Sequence, residues 1–482
     1  MSIKEKIKQN KWDILILLIY AIITFIVTVI FHEKWRDEAQ AWLIARDLNF
    51  WGIIKQMSYE GHPPLWYFII APFAKIGLPY QTQGIVSWLI MVFTAWLILK
   101  KSPFKKYMQI FIILTAPFIY LYPAISRSYC LIPLALTLIA IYYPERKEKQ
   151  IQYSLSILFL AYTHVIMLGM VGILYLLFFV EQVFFTKKSK KDIKNLTIAL
   201  IFTVIGILFL AFMLLGSTNK NGYVSVNPIN SFKLIGLKIL LSGIELQIFG
   251  TLAKRIIFKI LFWAWFILLT GIGIKKNPKN TVIFFISILW QLLIYLFIYG
   301  CSQQRSNTML LIAIFIIWIC ISDKNEIKNK VLKQIVTIGA ILLLTLNITV
   351  GIDEMVKDFI MPYSSAEETA KYIEENTEEN AIFVCTDGPI PSAIIPYVKN
   401  KLFWNPSSEE YFTFVTLSDK SIINMSGEEI VEKIKEKFTD KSKVYIIDNQ
   451  GKIKDESLKV IYKSREDLIR LDEKYIIYEM NL

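Results

Sequence analysis

Cysteine, histidine and charge are all scarce in this sequence. Its 482 residues include four cysteines and three histidines, and only 19% are charged. The cysteines (Cys130, Cys301, Cys320 and Cys385) are scattered, with no CxxC pair. That excludes a disulfide framework and leaves a thiolate metal centre without support. The last third of the chain has no GxGxxG, no P-loop and no nucleophile elbow, so it carries no nucleotide-binding fingerprint. Apolar residues are abundant instead: 55% of the chain is hydrophobic and 14% aromatic, in repeated runs matching the ~20 residues that cross a bilayer. This predicts a polytopic α-helical membrane protein. The first run, residues 12–31, follows a basic start like a signal peptide's. It is too long and lacks a small-residue cleavage site, so it reads as an uncleaved span.

Charge divides the chain. Residues 353–482 hold 17 Lys and Arg against 26 Asp and Glu, a net of −9, which leaves +22 for the part before them. A basic total can indicate nucleic acid. Here the cations gather in short loops between apolar runs, at 4–11, 100–106, 144–149, 187–194, 275–279 and 324–333, which is how topology is encoded. No nucleic-acid partner is expected. Placing all six loops in the cytoplasm gives eleven crossings near 12–31, 82–99, 107–124, 128–143, 151–165, 166–185, 195–215, 256–274, 280–299, 307–322 and 331–351. The N-terminus is then inside and the C-terminus outside, in the plasma membrane. Residues 63–77, short and interrupted by Pro72 and Lys75, read as a surface or half-inserted helix, and 233–250 as a second such segment.

The expected domains are a transmembrane part, 1–351, with an external loop at 32–63, and an external part, 352–482. In the latter, short β-type runs ("AIFVCT", "KLFW", "YFTFV", "KVYIID", "LKVIY", "KYIIYEM") alternate with the helical patterns "SSAEETAKYIEEN" and "GEEIVEKIKEKF". A small α/β domain follows.

This topology brings His32, His62 and His164 to one face, with Glu33, Asp37, Glu38, Asp47 and Glu60. Polar residues gathered at one membrane level mark a functional surface. In "WRDEAQAWLIARDL" the pair Asp37–Glu38 falls in a first helical turn, where the helix dipole favours an anion. Ordinary capping acids on an interfacial helix explain that pair too; the sharper reading is a general base held at the membrane surface. In "YEGHPPLWY" the double proline fixes the chain beside Glu60 and His62, a task that can also be purely structural. "SRSYC" and "QQRSN" each set one arginine at the outer end of a span, Arg127 and Arg305. A lone arginine there usually snorkels; two facing one cavity make an anion clamp. His164 in "AYTHV" reads equally as a satisfied buried histidine.

Taken together, "RDEAQAW", "YEGHPPLWY", "SRSYC" and "YTHV", and more loosely "QQRSNTMLL", resemble the GT-C glycosyltransferases of the protein O-mannosyltransferase and aminoarabinose transferase type. The likeness is best over residues 10–185. It implies a GT-C type fold of about eleven transmembrane helices with a small extracytoplasmic C-terminal α/β domain. It also implies an enzyme that takes a sugar from a polyprenyl-phosphate carrier and passes it, with inversion, to a lipid, glycan or protein acceptor. On that resemblance Asp37 is the general base and Glu38 its catalytic neighbour. His62, Arg127 and Arg305 bind the donor phosphate, while Glu60, Tyr129 and His164 support the site. Glu60 is also the residue that would help hold a divalent metal ion, where relatives use one. The glycine between Glu60 and His62 departs from the family pattern and leaves that metal open. A sugar on a lipid phosphate arrives activated, so one base and a few cations suffice. The two rival readings are weaker. A flippase for lipid-linked saccharides would carry mid-span charges and matching halves. A cell-wall-binding scaffold would not need eleven crossings.

Overall fold

The structure is a computed structural model describing residues 3–482 except 187–188, 216–233, 299, 324–326, 388–389, 418–424, 440–442 and 456–457. Two of the expected basic loops, 187–194 and 324–333, and the outer segment 216–255 therefore lie partly outside the described residues. The chain divides into two compact units. The first comprises the described parts of Met1–Thr28, Ser87–Phe212 and Val224–Met355; the second those of Val29–Val86, Met213–Tyr223 and Val356–Leu482. The boundary expected at 351/352 assigned residues 32–63 to the membrane part, whereas the second unit takes them in.

Among the described residues ten helices are long and apolar enough to cross a membrane, or eleven if Lys106–Ile113 and Pro117–Ala124, bent by 52°, form one broken span. The chain is a polytopic membrane protein, as its composition requires. Leu65–Lys75 is a helix of 11 residues, too short to cross, as expected for 63–77. Gln150–Ala161 has 12 residues, about 18 Å at ~1.5 Å per residue and so shorter than the ~30 Å of a bilayer core, yet it leads from the Gln150–Gln182 pair at one end to His164 beside Tyr129 at the other. Gly236–Lys254, which overlaps the second expected half-inserted segment, has the length and apolarity of a span.

Charge sorts to the two ends of the first unit. Buried Asp13 accepts from Lys100 at 3.1 Å and Lys106 at 2.5 Å. Arg146 grips Glu181 through two hydrogen bonds (2.9 and 3.1 Å), Tyr143 donates to Asn280 (2.8 Å), and Asn280 to Asp323 (3.1 Å). At the opposite ends of the same helices Tyr122 donates to the Gln304 carbonyl and Tyr295 to that of Arg305, both at 2.9 Å. The basic loops 100–106, 144–149 and 275–279 thus share one level, and Arg305 lies at the other. Between the levels the helices are apolar. Ile256–Lys276 buries no residue at all, and exposed Leu208, Phe212, Ile257 and Leu261 give the surface that hydrocarbon covers.

In the second unit, Arg36–Asp47, Phe50–Glu60 and Leu65–Lys75 follow one another as short helices. The Asn49 side chain accepts from the Gly52 N–H (2.8 Å) to start the middle one. Gly61, at φ +65°, ends it in the left-handed conformation that glycine tolerates. Trp42, Leu43 and Ile44 are buried as Arg36–Asp47 packs on Leu65–Lys75.

The rest of this unit is the expected α/β domain. Strands β1 (Ile382–Cys385), β2 (Leu402–Asn405), β3 (Glu410–Tyr411), β4 (Lys443–Asp448), β5 (Lys459–Lys463) and β6 (Ile476–Asn481) form one mixed sheet in the order β3-β2-β1-β4-β6-β5. Strand β1 runs parallel to both β2 and β4; the remaining pairs are antiparallel. The helix Gly427–Lys437, started by a Ser426–Glu429 capping box, lays Ile430, Val431 and Ile434 on Val384, Trp404 and Ile446. Each such side chain contributes about 1.5–3 kcal/mol by leaving water. Of "YFTFV" only Tyr411 is strand, because β3 pairs through two residues alone.

Close helix packing gives the first prediction. A Cβ added to Gly351 would lie 2.8 Å from the Ala116 backbone, whereas one on Gly172 would meet nothing within 4 Å. Gly351→Val should therefore lower stability by about 1–3 kcal/mol in a detergent melting assay, and Gly172→Ala should not.

Candidate functional site

Each unit holds part of the expected site. In the second unit the adjacent carboxylates Asp37 and Glu38 have opposite fates. Successive helical side chains point about 100° apart, so one faces in and the other out. The Glu38 side chain is 0% exposed, while that of Asp37 is 46% exposed. Glu38 accepts from Lys34 (3.2 Å) and His32 (3.2 Å), and reaches back to the Trp35 N–H (3.4 Å) at the helix start. The other nitrogen of His32 meets Asp358 at 2.7 Å. Two acids and two bases are buried as a quartet, each bridged to the next. Burial alone would lower the affinity of His32 for its proton; Asp358 and Glu38 override that and raise its pKa to about 9. His32 is an imidazolium clamped between carboxylates.

This geometry buries Glu38 among its partners and leaves Asp37 as the carboxylate facing outward. Beside it, the Arg36 guanidinium stands 3.9 Å from Asp37 and pairs with Asp472, while the Arg36 N–H donates to Glu473 (3.0 Å). Glu473 also accepts from Ser364 (2.6 Å), and burial raises its pKa to about 7. These bonds tie the first turn of Arg36–Asp47 to the α/β domain. Glu33 lines an acidic cavity of about 410 Å³ with Glu367, Glu368, Lys371 and Tyr397. Burial, and then Glu367, raise its pKa to about 7.

Glu60 lies further along the same unit. It accepts from the amides of Gln40 (2.9 Å) and Gln56 (3.2 Å) and from the Tyr67 hydroxyl (3.3 Å). Gln40 in turn exchanges two hydrogen bonds with the Val415 backbone (2.6 and 3.0 Å). No three His, Cys, Asp or Glu side chains among the described residues could hold a metal ion. Through Gln40 and Gln56 this carboxylate fastens the 50–60 helix to the α/β domain. His62 follows Gly61, half-buried, just before the two prolines.

The first unit brings Tyr129, His164 and Arg305 together. The Tyr129 ring stacks on His164 (5.0 Å) and on Tyr122 (5.8 Å), and its hydroxyl accepts from Arg305 Nε at 3.3 Å. His164 Nδ1 accepts from the Ile166 N–H (3.3 Å), which assigns the ring proton to Nε2 in the neutral tautomer. Every carbonyl of the turn carrying Arg305 is held: Gln303 by Asn307 (2.8 Å), Gln304 by Tyr122 (2.9 Å), and Arg305 by Tyr295 (2.9 Å) and Thr308 (2.6 Å). Arg127, half-buried, precedes the 3-10 turn Ser128–Cys130 that presents Tyr129. Sequence reasoning missed Arg36, Asp358, Asp472, Glu473 and Tyr122. Asp358 pairs with His32 across 326 positions, and no local pattern signals such a bond.

At the level of sequence, no protein family and no curated protein matches the chain. Solved structures do match. The crystal structure of ArnT from Cupriavidus metallidurans in the apo state aligns with a TM-score of 0.56 at 8% identity, covering 98% of this chain and 98% of that one. The crystal structure of ArnT from the same organism bound to undecaprenyl phosphate aligns with a TM-score of 0.54 at 9% identity, again over 98% of each chain. The chain has an ArnT-like GT-C fold along almost its whole length.

The buried acids and His32 together predict how the second unit responds to pH. Glu33 and Glu473 favour their protonated forms in the fold, so stability falls as pH rises from about 4.5 through about 7. The His32 contribution is complete below about 6.5 and is lost as pH rises through about 9. Thermal unfolding followed from pH 5 to pH 10 should show the melting temperature dropping in two stages. His32→Gln should remove the upper stage and keep the lower. Glu38→Ala takes one carboxylate from buried Lys34 and leaves His32 with Asp358, and should cost about 3–5 kcal/mol at neutral pH.

Proposed function

We propose that this chain is an integral-membrane glycosyltransferase that moves a sugar from undecaprenyl phosphate, or a similar polyprenyl phosphate, to an acceptor hydroxyl. The observation that carries the reading is the fold, shared over 98% of the chain with an ArnT structure that binds undecaprenyl phosphate. A carboxylate facing outward at a helix start and a built, cationic aromatic cluster at one end of the spans are the parts such chemistry needs.

In the proposed reaction, an Asp37 carboxylate oxygen accepts the proton of the acceptor hydroxyl as that oxygen bonds to the anomeric carbon. The bond from that carbon to the phosphate oxygen breaks, and polyprenyl phosphate departs with the electron pair. Arg127, Arg305 and His62 bind the phosphate and stabilise the charge it gains. Tyr129 and His164 orient Arg305. One displacement inverts the anomeric centre. In this reading the basic loops are cytoplasmic, transfer occurs at the outer face, and the α/β domain is extracytoplasmic.

Undecaprenyl phosphate is the first probe. It should raise the melting temperature of the detergent-solubilised wild type, and Arg127→Ala or Arg305→Ala should remove most of that rise. Asp37→Asn should keep the rise yet reduce sugar transfer by at least about 10³-fold, as loss of a general base does. Stabilisation indifferent to both arginines would turn the reading towards a transporter of lipid-linked material; no stabilisation would defeat it.

A further inference from the structure

Asn347 is a lone amide in the apolar run "ILLLTLNITVG" of the helix Lys330–Ile360. An amide placed in hydrocarbon without partners costs several kcal/mol, so a buried one is retained where its bonds do something. Asn347 is completely buried, and its amide group is bonded on both sides. Its Nδ2 donates to the Ile248 carbonyl and to Asn307 Oδ1, both at 2.8 Å. Its Oδ1 accepts from the Ala116 N–H at 2.9 Å. All four residues belong to the first unit.

Each partner leads to an arginine or steadies one. Ala116 sits at the break between Lys106–Ile113 and Pro117–Ala124, where the bend frees backbone groups and Pro117 brings no N–H of its own. That broken segment continues directly into Arg127 and Tyr129. Asn307 lies two residues after Arg305 and donates to the Gln303 carbonyl (2.8 Å), closing the turn that carries Arg305. Ile248 adjoins Gln247, which accepts from Ser306 in that same turn. One helical turn beyond Asn347, Gly351 lets the two backbones approach at Ala116.

We infer that Asn347 is a positioning residue for phosphate recognition: a single amide braces the helix break that leads to Arg127 and the turn that carries Arg305, fixing both guanidinium groups before the lipid arrives. This rests on the reading that these arginines bind the carrier phosphate. Guanidinium forks bind phosphate through paired N–H groups, so small shifts of the backbone beneath them weaken binding. Holding them in place beforehand removes an ordering cost that binding would otherwise meet.

The test measures affinity for undecaprenyl phosphate on the full chain in detergent, alongside the melting temperature without ligand. The variants are Asn347→Leu, which has nearly the same shape but no hydrogen bonds, Asn347→Asp, which keeps the acceptor to Ala116, and Asn307→Ala, which cuts only the branch to Arg305. Asn347→Leu should weaken binding about tenfold, the equivalent of one lost hydrogen bond, with the other two weaker in effect. Added to the Arg127→Ala/Arg305→Ala pair, Asn347→Leu should weaken binding no further. A merely structural amide would lower the melting temperature while leaving affinity within twofold, or would weaken binding equally without the arginines. Either result overturns the inference. Should Asn347→Leu not fold, unchanged affinity in both Asn347→Asp and Asn307→Ala overturns it as well. A wild type that binds regardless of both arginines removes what Asn347 would position and overturns the underlying reading with it.

Discussion

Hydrocarbon offers no hydrogen bond, and the rest of this structure depends on that constraint. Every polar group the chain carries into the bilayer must find its partner in the chain or move to an end of a span. The two levels of the first unit are the outcome: Asp13 with its lysines and Arg146 with Glu181 at one, Arg305 with Tyr129 at the other. Asn347, an amide that stays between the ends, is bonded on both sides. The proposed chemistry on a lipid phosphate requires cations at membrane level, and the same segregation supplies them.

A second constraint acts through helix geometry. Asp37 and Glu38 are chemically alike and adjacent, yet the turn between them sends one into a buried ion quartet and leaves the other half-exposed. The buried acid holds the first turn against His32, Lys34 and Asp358. Its neighbour is thereby presented on a rigid base instead of a mobile loop. In the proposed reaction that rigidity serves Asp37 as general base, because proton transfer falls off when the acceptor wanders.

Much of the fold was legible because it rests on local pattern. Apolar run length marked the spans, alternation marked five of the six strands, and the helical pattern "GEEIVEKIKEKF" marked the helix Gly427–Lys437. What was not legible rests on distant contacts. The helix Gln150–Ala161 ends before His164, whose ring meets Tyr129, and Glu60 meets Gln40, Gln56 and Tyr67, brought in by folding.

By itself the sequence determined the membrane class, the two charge territories, the α/β character of the last third and the short stretches where polar residues gather. Those follow from transfer free energy and helical or strand period, which act residue by residue along the chain. Only the tertiary structure decided which of two adjacent acids faces out, that His32 is held by an aspartate 326 positions away, and that Tyr129, His164 and Arg305 meet. Those outcomes depend on which distant elements pack together, and burial and pairing energies are realised only once they do.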